Sequence, residues 1–80
     1  MARFQLMNLP FGVRKSGLEA VFQQFGLVVS DIEIDHNHLQ GGGHPVAFVT
    51  LDAAETARRA MYRLIGVSYL GRDLAVHEVP

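Results

Sequence analysis

Polar and apolar residues alternate from the start of the chain. Phe4 and Leu6 interleave with Arg3, Gln5 and Met7, which predicts a first strand with two unlike faces, stopping near Pro10. The period then lengthens. Leu18, Val21 or Phe22, and Phe25 recur at helical spacing behind Ser16-Gly17-Leu18-Glu19, a capping-box pattern, and Gly26 is placed to close the helix. Period two returns over residues 28–34, where Ile32 and Ile34 alternate with Asp31, Glu33 and Asp35 as a half-buried second strand. Residues 36–45 are polar and glycine-rich, which predicts a loop. Residues 46–51 predict a third strand, with Ala47, Val49 and Leu51 on one face and Val46, Phe48 and Thr50 on the other. Asp52, with Glu55 three residues on, is placed to cap a second helix whose apolar stripe is Ala57, Ala60, Met61 and Leu64 and whose end is Gly66. Arg58, Arg59 and Arg63 fall largely outside that stripe and predict a basic outer face. After a connection through Tyr69 and Gly71, Leu74 and Val76 alternate with Ala75 and His77 as a fourth strand.

The order β-α-β-β-α-β over residues 1–80 predicts one α+β domain, a ferredoxin-like sandwich with a four-stranded antiparallel sheet and both helices on one face. Such a sheet packs one side under the helices and leaves the other to solvent. By alternation the open side carries Arg3, Gln5, Met7, Asp31, Glu33, Val46, Phe48, Thr50, Ala75 and His77. Function is expected there.

Composition narrows the partner classes. The chain has 80 residues, 49% of them hydrophobic, enough apolar surface to offset chain entropy and argue against disorder. No apolar run approaches the roughly 18 residues of a membrane span, so no membrane partner is expected. Seven basic against eight acidic side chains give a net charge of −1, which is not the signature of a strong, nonspecific nucleic-acid binder. Cysteine is absent, which excludes disulfides, thiolate metal sites and thiol nucleophiles. That absence fits a reducing compartment and, with no leader pattern at the start, a cytoplasmic location is expected.

The first strand reads Phe4-Gln5-Leu6-Met7-Asn8-Leu9 followed by Pro10, and the third reads His44-Pro45-Val46-Ala47-Phe48-Val49-Thr50-Leu51. With Phe25-Gly26 and the ending Gly71-Arg72-Asp73-Leu74-Ala75-Val76, these resemble the RNA-recognition motif over nearly the whole chain. The resemblance implies binding of a short single-stranded RNA across the sheet. Phe48 would stack a base, Gln5 and Met7 would flank it, and Arg3 with His77 would contact a base edge or phosphate. The family's other two aromatic positions are Gln5 and Val46 here. At about 1–3 kcal/mol of stacking per base, their loss removes roughly 2–6 kcal/mol. A neutral hydrogen bond from Gln5 restores only about 0.5–1.5 kcal/mol. Asp31 and Glu33 add repulsion toward phosphates, so weak, salt-sensitive binding is expected.

Other chemistry is less well supported. Met7, Val46 and Phe48 together predict a modest apolar patch, and a protein partner or a homodimer, held by this open sheet or by the second helix, is the alternative to RNA. His36 and His38, with Asp35 and His44 nearby, are metal-ligating types, but a loop does not preset their geometry, and no metal or cofactor is expected. Gly41-Gly42-Gly43 lacks the Lys-Ser/Thr that completes a phosphate-binding loop and reads as slack in a hairpin. No carboxylate–histidine set falls on a predicted cleft, and Arg14 lacks the anion-binding glycine loop of acylphosphatase-like enzymes, so no catalysis is expected.

Overall fold

Burial of alternate residues sets the sheet. In the computed structural model, which describes residues 1–40, 44–52 and 54–80, the elements are β1 (Ala2–Met7), α1 (Lys15–Gln24), β2 (Val29–Gln40), β3 (His44–Leu51), α2 (Glu55–Tyr62), β4 (Ser68–Tyr69), β5 (Arg72–Asp73) and β6 (Ala75–Val79). The main sheet has the order β2-β3-β1-β6, with every neighbouring pair antiparallel. Phe4 and Leu6 of β1, Ile32 of β2, and Ala47, Val49 and Leu51 of β3 point inward. There they meet Leu18 and Phe22 of α1, Met61 of α2, and Leu64 just beyond it, all in one buried cluster. The expected ferredoxin-like sandwich is the one observed.

Both helices begin differently from the pattern read in the sequence. Ser16 does not cap α1: the cap position is Arg14, whose carbonyl accepts the Leu18 N–H at 3.2 Å, with no side-chain cap bond. Val13 is the reason. It is buried, its N–H is bonded to the Pro10 carbonyl, and it turns the chain into the helix two residues before the capping box. Tertiary burial outweighs a cap that contributes about 1 kcal/mol. Ahead of α2, the Asp52 carboxylate accepts the Ala54 N–H at 3.1 Å, but Ala54 occupies the cap position. Asp52 therefore makes a local turn before the helix. Gly26 does end α1, at a positive φ that suits glycine, whereas α2 ends at Tyr62 with Arg63 at its cap. Gly66, expected to close that helix, ends the turns that follow it, also at positive φ.

The expected loop over 36–45 is mostly strand. β2 continues to Gln40, β3 starts at His44, and Gln40 pairs with His44 across a register shift after Asp35. The glycine triplet at 41–43 and the side chain of His38 lie outside the described residues. The connection before the last strand is also more ordered than expected. β4 and β5 form a hairpin turned by Leu70 and Gly71, both at positive φ as a tight two-residue turn requires.

That hairpin brackets the segment between β1 and α1. At one end, Asn8 sits at φ 65, which asparagine tolerates, and its amide donates to the Asp73 carbonyl at 2.6 Å. Arg72 donates in return to the Asn8 carbonyl at 3.1 Å and to its side-chain oxygen. At the other end, Gly17 lets the Tyr69 ring approach α1. A Cβ there would sit 3.4 Å from the ring carbon bearing the hydroxyl and would overlap the hydroxyl itself.

The basic face expected on α2 is largely paired. Arg58 turns toward the sheet and contacts the Glu78 carboxylate at 3.0 Å, while Arg59 pairs with Glu55 one turn back, also at 3.0 Å. Tyr62 packs edge-on against Phe4, with ring centroids 5.7 Å apart, and its hydroxyl reaches Glu78 at 3.4 Å. Hydrogen bonding from Arg58 holds the Glu78 carboxyl below the usual glutamate range, against the opposing effect of burial; the Arg58 charge and the Tyr62 hydroxyl act in the same direction. A lowered carboxylate contributes stability above the unfolded range of about pH 4.3 and loses it as pH falls through its folded value. A carboxyl NMR titration should therefore place the Glu78 midpoint below ordinary glutamate, and Arg58→Gln should move it upward. An unchanged midpoint in Arg58→Gln would show that the pairing is not its cause.

Candidate nucleic-acid interface

The register brings the outward side chains into rows across the sheet. One row is Glu33–Phe48–Gln5–His77, with β-strand partners Glu33 and Phe48, Phe48 and Gln5, and Gln5 and His77. A second is Asp31–Thr50–Arg3–Val79, and the pairs Asp35–Val46 and Met7–Ala75 continue the same register in a third. All six residues expected at the site thus lie on one side, away from the helices. Phe48 and Gln5 stand centrally, Met7 is half-buried, and His77 is exposed on the β6 side.

Val46 needs correcting. Parity puts it on the outward face, and it does not belong to the core cluster, yet only 1% of its surface is exposed. It supports the face from below the accessible surface and presents nothing to a ligand. The expected apolar patch shrinks accordingly to Met7 and Phe48.

Arg3 is not poised as a free cation either. Its guanidinium carbon lies 4.7 Å from the centroid of the Phe48 ring, and its Nη2 lies 3.6 Å from the Glu33 carboxylate. Arg3 pairs in register with Thr50, so it reaches diagonally over β3 to make these contacts. The face also carries exposed Asp31, which adds acidity on the β2 side.

Sequence reading missed one aromatic group. Phe11, in the segment after β1, is 66% exposed and stacks on the His44 ring, with centroids 4.6 Å apart and planes 24° from parallel. The His44 Nδ1 donates to the Leu9 carbonyl at 3.2 Å, which fixes the imidazole beneath Phe11. This also engages one of the nitrogens considered for a metal; among the described residues no cluster of three ligating side chains occurs. His44 shares the outward parity of Val46 and Phe48. Four residues of strand separate it from Phe48, about 13 Å at 3.3 Å per residue. The signal available in sequence was a phenylalanine beside Pro10 and Gly12, outside any apolar stripe.

Comparison with known proteins decides the family. The family model described as RNA recognition motif matches residues 6–75. The chain belongs to the RNA-recognition-motif family. It is 37% identical over 75 residues to the sex determination protein fox-1 of Caenorhabditis elegans, covering 94% of this chain and 17% of that protein. It is 35% identical to the human RNA binding protein fox-1 homolog 3, covering 94% of this chain and 23% of that one. It is 32% identical to a 33 kDa chloroplastic ribonucleoprotein of Nicotiana sylvestris, covering 98% of this chain and 24% of the relative. The chain thus spans less than a quarter of the length of these curated relatives. Among solved structures, RNA binding protein PG1 superposes with a TM-score of 0.77 at 26% identity, covering 99% of this chain and 94% of that one. The second RNA-recognition motif of a yeast poly(U)-binding protein shares the fold, with a TM-score of 0.78 at 19% identity over 100% and 95% of the two chains. As an RNA-recognition motif, the domain is of the RNA-binding class. Among the described residues no helix is long and apolar enough to cross a membrane.

Proposed function

We propose that this domain binds a short stretch of single-stranded RNA across the outward sheet face, weakly and without catalysis. The observation that carries the reading is the Phe48 ring, central on a face the helices leave uncovered and partnered in register by Gln5 and Glu33. A base stacks on Phe48, Gln5 bonds to its edge, Met7 flanks it, and His77 meets the next edge or phosphate. Phe11 on His44 supplies a second stacking surface about 13 Å along the same strand, a spacing that suits an extended chain of nucleotides more than one base. The exposed Arg14 and Lys15, three and four residues beyond Phe11, are the cations nearest that end in sequence. Few phosphates are neutralised on such a surface, so affinity starts low, and because the salt slope scales with the phosphates neutralised, it falls less steeply with salt than the sequence reading expects.

Titrating a pool of short random RNA oligonucleotides at low salt, while following backbone amide shifts, tests the reading. Perturbations are expected at Gln5, Met7, Phe48 and His77, and also at Phe11. Shifts confined to α2, or none at all, would remove the sheet as the site. Sedimentation at micromolar concentration separates the protein-partner alternative, for which a self-associating chain with Phe48 protected is the required result. A cysteine-free chain fits a reducing compartment, the cytoplasm among them, and imaging of a tagged chain distinguishes this from an organelle.

A further inference from the structure

We infer that Arg3 and Glu33 form a gate over Phe48, in which the chain's own guanidinium covers the ring a base would take and Glu33 positions it there. The inference rests on the stacking reading above. Its basis is one continuous geometry. The Arg3 guanidinium lies 4.7 Å from the ring centroid and 3.6 Å from the Glu33 carboxylate, and Glu33 is the direct cross-strand partner of Phe48. Ring, cation and anion therefore belong to three adjacent strands and meet at one point.

The gate is built to open. The Arg3 and Glu33 side chains are 50% and 67% exposed, and both a cation–π contact and an ion pair at such sites shift an equilibrium only a few-fold. An incoming phosphate competes for the guanidinium with a bidentate, charge-assisted pair that Glu33 cannot better. RNA thus draws Arg3 from the ring to its own backbone, uncovering Phe48 as it binds. A site competent only when uncovered binds less tightly by its uncovered fraction. Glu33 acts through Arg3 and sets that fraction.

The test compares wild type with Glu33→Gln, Asp31→Asn and Phe48→Ala, using one pool of eight-nucleotide random RNA at low salt. Asp31→Asn removes the same charge from the same face, so it measures general repulsion alone. Glu33→Gln is expected to bind about threefold tighter than Asp31→Asn. In the free protein, the Arg3 side-chain N–H resonance should be shifted by the Phe48 ring current. That shift should vanish in Phe48→Ala and shrink in Glu33→Gln, while Asp31→Asn keeps it. Equal affinities in Glu33→Gln and Asp31→Asn, with Phe48→Ala still weakened, would overturn the gate and leave the site standing. Unchanged affinity in Phe48→Ala would sink the stacking reading, and the gate with it.

Discussion

Phe48→Ala is expected to weaken binding of short single-stranded RNA by on the order of tenfold while the domain stays folded. Stacking on an aromatic side chain contributes about 1–3 kcal/mol per base. Here the base first displaces Arg3, whose exposed cation–π contact is worth roughly 0.5–1 kcal/mol, which trims the net effect. Little stability is at stake. Phe48 lies outside the core cluster, and a cross-strand aromatic contact contributes only about 0.2–1 kcal/mol. Fluorescence anisotropy at low salt, alongside thermal melts of both proteins, reads the two quantities separately. Phe48→Tyr should retain most of the affinity, because it keeps the ring. If the alanine variant is folded and binds within twofold of wild type, Phe48 is not a stacking platform.

Phe4→Ala is expected to do the reverse, destabilising the domain rather than blunting its surface. Phe4 is fully buried in the central strand β1, opposite Val49 on one side and Glu78 on the other, with the edge of the Tyr62 ring against it. Truncating such a phenylalanine costs about 3–5 kcal/mol. At roughly 0.05–0.15 kcal/mol per residue, a domain of this size has about 4–12 kcal/mol in total. The midpoint of thermal unfolding should fall by about 12 °C or more. Phe4→Leu, which keeps most of the volume, should recover much of the loss. A drop of only a few degrees for Phe4→Ala would mean that the centre of the sheet is less tightly packed than its burial indicates.

What the sequence made legible is what pleat geometry imposes. Ala47, Val49 and Leu51 had to face one way and Val46, Phe48 and Thr50 the other, because successive side chains alternate and only one side meets the helices. Details that depend on register were not legible. That Arg3 lies diagonal to Phe48 and within reach of Glu33 follows from the pairing of Arg3 with Thr50 and of Glu33 with Phe48, which no single strand specifies. Arg58 was read as outward because helical spacing alone sets it off the stripe, yet Glu78, twenty residues later, draws it to the sheet edge. Val46 shows the limit of parity, since the direction was right and the accessibility was not. The polar residues after Asp35 read as a loop because they carry no apolar–polar alternation, although β2 continues to Gln40. Phe11 escaped for a similar reason: its position depends on His44, far along the chain, and not on any period.

The bonds of Asn8 with Arg72 and Asp73, and the fit of Tyr69 against Gly17, tie both ends of the Phe11 segment to the same hairpin, two strands and a helix beyond α1 in the chain. Loosening of residues 68–73 would therefore release both flanks of the Phe11 segment together. A turn outside the proposed RNA face thereby anchors the arm proposed to stack on a base.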